Sequence, residues 1–487
     1  MNAHHTYHPN LVYTDDEAAL MQHVASVAAQ LHMPAYVVGG FVRDKILKRD
    51  YKKDIDFVCV GSGIKLAQAV AASLPGKPRV SAFKHFGTAH FRYANIDVEF
   101  VGARKESYQR DSRNPIVEDG TLADDQLRRD FTINALAISL NADNYGALID
   151  PFKGLQDLED RIIRTPQDPQ ITFSDDPLRM MRAVRFASQL NFDIEEHTYT
   201  GIKQSVERIR IISQERITDE FNKILLSPKP SIGLYYLSDC GLLEIIFPEL
   251  WRMHGTDIVD GQGHKDNFYH TLEVIDNISA LTDDLWLRWS ALLHDIAKPV
   301  TKKFIPPAGW TFHGHEIVGA RMTKKIFTEM KLPLQQELKR VQNIVSLHMR
   351  PISLTKENVT DSAIRRLLFE AGDDLEGLLL LCQADITTKN RLKIKRYKEN
   401  FELVKQKLAD VESRDNIRNF QPPVSGELIM STFNIRPGKE VGYIKEFVRE
   451  AILDGHIPNE YAAAFALMLE KGKELGLTPK HTKPDAP

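Results

Sequence analysis

The sequence predicts an α+β head followed by an all-α remainder, in more than one domain. Three observations lead there. At 487 residues the chain is too long for a single core, and roughly two to four domains are expected. Between Ala35 and Asp150 short β-type runs alternate with helical ones. After Pro151 the β-branched runs thin out and long amphipathic stretches take over.

The elements follow in order. Leu20, Val24, Val27 and Leu31 recur at helical spacing, so residues 1–34 read as a helical lead-in. Strand 35–38, helix 41–48, strand 54–60 and helix 64–73 come next. Pro75-Gly76-Lys77-Pro78 is a turn. Strands then cover 79–83, 88–93 and 97–101. Residues 107–121 are polar and aperiodic, which predicts a mobile loop. Gly61-Ser62-Gly63 lacks the third glycine of a dinucleotide loop and reads as a turn. Pro228, Pro230 and Pro248 separate helical units. Pro306-Pro307-Ala308-Gly309 marks a loop, and 410–423 a linker.

Composition narrows the function classes. No apolar run approaches the ~20 residues that span a bilayer. The start, Met1-Asn2-Ala3-His4-His5, lacks the basic and apolar segments of a secretory signal. Cys59, Cys240 and Cys382 are odd in number and far apart, which fits a reducing cytoplasm better than a disulfide framework. A net charge of −3 leaves nucleic-acid binding to local patches. Lys389, Arg391, Lys393, Lys395, Arg396 and Lys398 form one such patch, either a solvated helix face or an RNA contact.

The chemistry gathers between Val37 and Asp56. The apolar run Tyr36-Val37-Val38 ends in Gly39-Gly40, which lets the backbone approach a bulky ligand with its N–H groups unshielded. Arg43, on the next helix, offers a planar fork to phosphate. On a strand, Asp54 and Asp56 share one face, with Ile55 opposite. Two carboxylates with phosphate oxygens are how Mg²⁺ is usually held. A phosphate cradle beside such a pair implies phosphoryl chemistry on a nucleotide. Gly39-Gly40-x-Val42-Arg43-Asp44 followed by Asp54-x-Asp56 resembles the signature of the class II, or bacterial-type, tRNA nucleotidyltransferase and poly(A) polymerase family. Glu99, ahead of Asp97, is the candidate for a third carboxylate.

Arg128-Arg129-Asp130 precedes apolar Phe131, Ile133, Leu136 and Ile138, which hold the arginines at a rim. The resemblance makes Arg129 a phosphate ligand, with Asp130 and Asn134 as ribose or scaffold groups. Pro177, after Asp176, starts a helix on which Arg179, Arg182 and Arg185 fan over an arc of ~120°. Met180, Val184 and Ala187 face a core. With almost no acidic partner in view, the fan reads as an anion site. The resemblance sharpens this. Asp176 and Arg179 read the base edge of the incoming nucleotide, and Arg182 and Arg185 contact phosphates. Asp175 stands where the family often has Glu, and no role is carried to it. The chemistry is sound, because a carboxylate accepts from the amino group of cytosine or adenine while a guanidinium donates to a ring nitrogen or carbonyl. The segment from Glu215-Arg216 to Asp219-Glu220 resembles the family's last motif and is expected to brace this helix.

Farther on, His270, His294-Asp295, His315, His348 and Asp385 sit mostly in apolar helical contexts. They resemble the ligand set of the HD phosphohydrolase superfamily, an all-helical fold with divalent metal. His270, His294, Asp295 and Asp385 match its core ligands. His315 and His348 match positions for a second metal. Imidazole with carboxylate suits Mn²⁺, Ni²⁺ or Co²⁺, whereas Asp54 and Asp56 suit Mg²⁺.

Together the resemblances imply a nucleotidyltransferase head with a small mixed or antiparallel sheet at 35–150. A helical neck at 151–250, an HD body at 251–390 and a helical tail at 391–487 follow. They imply addition of CMP and AMP to the tRNA 3′ end from CTP and ATP, and a metal-dependent phosphohydrolase activity in the HD body. A poly(A) polymerase, or an enzyme adding only CC or only A, would carry the same motifs. An HD phosphohydrolase with a nucleotide-sensing head, or a non-catalytic RNA-binding protein, would not need Asp54 and Asp56.

Overall fold

The computed structural model describes residues 11–49, 54–84, 87–107, 116–259, 262–263, 266–354, 360–388, 390–415, 417–418 and 420–480. The expectations on 1–10, on the centre of the 107–121 loop and on Lys389 lie outside these, as does the side chain of Lys393. The chain forms two compact units, Met1–Pro248 and Glu249–Pro487.

The first unit opens with the helix Asp15–Gln30, started by a capping box between Thr14 and Glu17. Its Leu20, Met21 and Val24 are buried. Nine strands follow: β1 (Ala35–Val38), β2 (Asp54–Cys59), β3 (Ser81–Phe83), β4 (Thr88–Tyr93), β5 (Ile96–Gly102), β6 (Arg104–Ser107), β7 (Ile116–Asp119), β8 (Ala137–Ser139) and β9 (Leu148–Ile149). Seven of them make one sheet in the order β3-β4-β5-β2-β1-β8-β9. Only β2 and β5 pair in parallel, so the sheet is mixed. Alternation does the work. Ile96, Val98 and Phe100 of β5 are buried while Asp97 and Glu99 are exposed. Phe100 stacks on Phe57 at 5.0 Å and on Phe91 at 5.6 Å between ring centroids.

Gly61-Ser62-Gly63 is a packing device. A Cβ on Gly63 would meet Gly102 N at 2.7 Å, and one on Gly102 would meet Gly61 O at 2.5 Å. The two glycines let the helix Gly63–Ser73 lie against β5. The expectation of a loop over 107–121 needs correction. Ser107 pairs with Ile116 as β6 meets β7, and Thr121 caps a helix over Leu122–Leu127. The β-branched pair Ile116-Val117 is too short to show a period in sequence.

The rest of this unit is mostly helical, with one short parallel pair, Ile162–Ile163 with Asp193–Ile194. Its central helix, Leu178–Leu190, packs on Gln214–Leu225 and Pro230–Asp239. Met180, Val184 and Ala187 are fully buried there.

Among its described residues the second unit is helical apart from two short antiparallel pairs, Ile258–Val259 with Gln262–Gly263 and Lys303–Ile305 with Gly309–Thr311. Pro306 to Ala308 forms the turn of the latter, and Gly309 opens its second strand. The expected linker 410–423 also needs correction. The helix Arg391–Asp415 runs into it, because Leu408 and Val411 are buried and hold its last turns. Among the described residues no helix is long and apolar enough to cross a membrane.

Candidate active sites

The first site forms where β1 turns into the helix Gly40–Ile46. Gly39 has φ +78°, a left-handed conformation that glycine adopts without strain. A Cβ there would lie 3.2 Å from Arg129 Nη1 and 3.5 Å from Asp56 Oδ2. The cradle, a carboxylate and a guanidinium therefore meet at one point. The β2–β5 register sets Asp54 beside Asp97 and Asp56 beside Glu99, on one face. Burial raises the Asp56 pKa to about 6, and the neighbouring Glu99 and Asp54 carboxylates add to it against Arg129. Crowded carboxylates with net negative charge fit a divalent cation.

The arginines around this cluster are locked rather than free. Buried Asp125 accepts from Arg129 Nε and Nη2 at 3.1 and 3.0 Å, and from Arg128 Nη2 at 2.5 Å. Sequence reasoning missed Asp125, although its i+3 and i+4 spacing to the arginines was a usable signal. Arg43 donates to Asn134 Oδ1 at 2.7 Å and grips Asp44 with two bonds of 2.8 Å. Asn134 in turn donates to Asp130 at 3.0 Å.

The predicted open fan of Arg179, Arg182 and Arg185 needs correction. Arg182 forks onto Asp130 at 2.8 and 2.5 Å, and Arg185 pairs with Glu220 at 3.0 Å. These partners are distant in sequence, so the fan looks unpaired there. Burial alone would raise the Asp130 pKa, but Arg182 and Asn134 outweigh it and hold the carboxylate well below its usual range. The Phe186 ring lies under the guanidinium groups of Arg43, Arg182 and Arg185, at 5.0, 5.5 and 4.3 Å. Arg179 differs from its neighbours. It donates from Nη2 to Arg128 O at 2.6 Å, but its buried Nη1 has no hydrogen-bond partner. Asp176 accepts from Leu178 N–H at 3.1 Å and from Arg216 at 3.2 Å. The Glu215–Glu220 segment thus braces this helix through Arg216 and Glu220.

The second site lies in the other unit, at helix ends. His294, His348 and Asp385 directly follow three helices, His315 opens one, and His270 lies in the first turn of another. Their ligand atoms fall into two groups, His270–His294–Asp385 and Asp295–His315–His348, each within 4.8 Å. His270 Nε2 is 2.9 Å from Asp385 Oδ1 and 3.5 Å from Asp295 Oδ2. Asp295 also lies 3.2 Å from both His294 Nε2 and His315 Nε2, so it stands between the groups.

The outward nitrogens are anchored. Nδ1 of His294, His315 and His348 faces the carbonyls of Ala291, Phe312 and Val345 at 2.7, 2.8 and 2.6 Å. Those acceptors assign the proton to each Nδ1 and leave lone pairs on the inward Nε2 atoms. His315 Nε2 and His348 Nε2 then face each other at 3.3 Å, where two lone pairs repel unless a cation lies between them. His294 Nε2 and Asp295 Oδ2 are buried 3.2 Å apart and make no well-aligned hydrogen bond. This donor set fits divalent metal. Lys298, not anticipated from sequence, brings its Nζ within 2.6 Å of Asp295 Oδ2.

Three family models match the chain. A poly A polymerase head domain covers 35–164, a probable RNA and SrmB-binding site of polymerase A covers 191–253, and an HD domain covers 267–389. An A-adding tRNA nucleotidyltransferase of Aquifex aeolicus is 42% identical over 39% of this chain. The match spans about a quarter of that relative, 24% of its length. A multifunctional CCA protein of Aliivibrio salmonicida is 32% identical over 79% of this chain and 93% of the relative. The crystal structure of a tRNA nucleotidyltransferase complexed with a primer tRNA and an incoming ATP analog matches with TM-score 0.55 and 28% identity. That match covers 79% of this chain and 99% of the other.

Proposed function

The chain belongs to the tRNA nucleotidyltransferase and poly(A) polymerase family, and on that footing we propose that it adds CMP and AMP to the 3′ end of tRNA without a template. The carrying observation is the meeting of Gly39, Asp56 and Arg129 at one point beside Asp54 and Glu99. Domains of both kinds in this chain use divalent metal. In the head, Asp54 and Asp56 hold Mg²⁺, which when bound acidifies the attacking hydroxyl and neutralises charge on the leaving group. Gly39 and Gly40 let the backbone approach the triphosphate. Arg43 and Arg129 grip its oxygens from fixed positions, which reduces the reorganisation needed during reaction. The RNA 3′-hydroxyl attacks the α-phosphate, the bond to the β-phosphate breaks, and pyrophosphate leaves. Asp176 and the unpaired Nη1 of Arg179 read the base edge. Arg182 and Arg185 act on phosphate through their paired positions, with Asp130 and Asn134 as scaffold.

A second reading, addition of A alone, is favoured by the name of the Aquifex relative. Transcripts of tRNA ending before C, CC and CCA, offered labelled CTP or ATP, separate the two. Incorporation of both nucleotides in order supports CCA addition. Acceptance of ATP on a CC end with no use of CTP supports the A-adding reading.

In the other unit His270, His294, Asp295 and Asp385 hold a transition metal such as Mn²⁺, Ni²⁺ or Co²⁺, and His315 with His348 serve a second ion. The reaction proposed there is hydrolysis of a phosphate ester, with 2′,3′-cyclic phosphate at RNA ends as substrate. Metal analysis and 2′,3′-cyclic AMP hydrolysis test it. Absence of both bound metal and turnover across Mg²⁺, Mn²⁺, Ni²⁺ and Co²⁺ would reduce this centre to a scaffold.

A further inference from the structure

Three arginines of the first site share one aromatic ring. Phe186 follows Arg185 on the helix Leu178–Leu190 and is buried. The guanidinium carbons of Arg43, Arg182 and Arg185 lie over its ring, 5.0, 5.5 and 4.3 Å from the centroid. Arg43 comes from the helix Gly40–Ile46, directly after the Gly39 turn, and the other two come from the ring's own helix. Phe131 meets the ring edge to face, at 5.8 Å and 83°, and is itself fully buried. That contact sets the tilt of the ring from the segment that follows Arg129.

Three like charges gathered this closely repel one another. Burial pushes the Arg185 pKa down to about 10, and Arg182 and Arg43 add to that push against Glu220 and Asp130. Carboxylates offset part of the repulsion. Asp44 accepts from Arg43, Asp130 from Arg182 and Glu220 from Arg185. Each of these bonds consumes an N–H donor and draws its arginine toward a different side chain. An aromatic face does neither. It attracts a guanidinium through the ring quadrupole and leaves the N–H donors to other partners. Arg185 Nε shows the result, since it is buried without a hydrogen-bond partner among the described residues. An aliphatic side chain of similar size would fill the space but could not hold the cations.

We propose that Phe186 is a positioning residue for triphosphate binding, a shared aromatic platform that holds Arg43, Arg182 and Arg185 together as one preformed anion site. The proposal rests on the transferase reading and deepens it. Cations placed in advance lose less freedom when an anion arrives, so the ring contributes to affinity without touching the nucleotide. It should act alike on CTP and ATP, because the base edge is left to Asp176 and Arg179.

The test changes the electrostatics of the ring at nearly constant shape, in the full chain. Phe186 is replaced by mono-, di- and trifluorinated phenylalanine, since each fluorine weakens the negative face of the ring. Phe186→Leu removes the face altogether. Dissociation constants of CTP, ATP and UTP are read by calorimetry in Mg²⁺, and melting temperature checks the fold. Affinity for CTP and ATP is expected to fall stepwise, by about two- to thirtyfold across the series. The preference for CTP over UTP should not change. Phe186→Leu should lose at least as much affinity as the trifluorinated ring. A flat series would show that the ring acts by packing alone and overturns the proposal while the transferase stands. So does an affinity that rises with fluorination, which would mean that the ring competes with phosphate for the guanidinium groups. If binding follows the series but the wild type extends no tRNA, the platform stands and the transferase reading falls. Absence of both nucleotide binding and extension in the wild type overturns the two together.

Discussion

Asp56 and Asp295 are both enclosed carboxylates, yet their surroundings push them in opposite directions. Asp56 shares a strand face with Asp54 and Glu99, and burial first, then Glu99, lifts its pKa to about 6. Burial would lift Asp295 too, but His294, His315 and Lys298 outweigh it and hold it well below the usual carboxylate range. The first cluster carries an excess of negative charge, which suits a hard cation. The second holds a lysine counter-charge, Lys298, beside its inward imidazole nitrogens, so an incoming metal must displace that lysine from Asp295. One chain thus builds two clusters of ionisable side chains with opposite electrostatic character, and they should respond differently to the same perturbations.

The largest effect is expected at the head. Asp54→Ala or Asp56→Ala should lower nucleotide addition on the order of a thousandfold or more, with the fold intact by circular dichroism. Near-normal turnover of Asp56→Ala in Mg²⁺ would sink the assignment. Next, His294→Ala combined with Asp295→Ala should remove bound transition metal and cyclic-phosphate hydrolysis while CCA addition continues. Parallel loss of both activities would show that the centres are not independent. Smaller still is the effect of Arg179→Ala, expected to relax discrimination against UTP and GTP by about ten- to a hundredfold. Arg182→Ala and Arg185→Ala should instead weaken triphosphate binding. Full selectivity in Arg179→Ala would move base reading elsewhere.

The smallest effect is on pH dependence. The folded-state pKa of Asp56 is raised above its ordinary value of 3.8 to about 6. Its contribution to stability is therefore fully present below about pH 4 and is lost as pH rises through about 6. Mg²⁺ relieves that loss, so the gain in melting temperature on adding it should be larger at pH 7.5 than at pH 5. Equal gains at both pH values in scanning fluorimetry would separate Asp56 from the cation.

Much of the head was legible because its parts are contiguous. Gly39-Gly40, Arg43, Asp54 and Asp56 fall within one strand-helix-strand unit, and period-two alternation alone aligns the carboxylates. The ion pairs Arg182–Asp130 and Arg185–Glu220 were not legible as pairings, since their members lie 52 and 35 residues apart. What looked like open cations were half of a closed network. The clustered histidines come from the ends of separate helices, and only a family pattern linked them.

The anchoring of the histidines has a consequence for how the second centre changes over time. His294, His315 and His348 each take their orientation from a carbonyl three residues earlier, within their own stretch of chain. None of these three rings takes its Nδ1 anchor from another member of the cluster, whereas His270 meets Thr387 and Asp385. Such a centre is built of independent pegs rather than an interlocked frame. Under the metal reading proposed above, losing one of these three pegs would weaken affinity without misaligning the other two, so the donor set can change by single steps that each leave a folded protein.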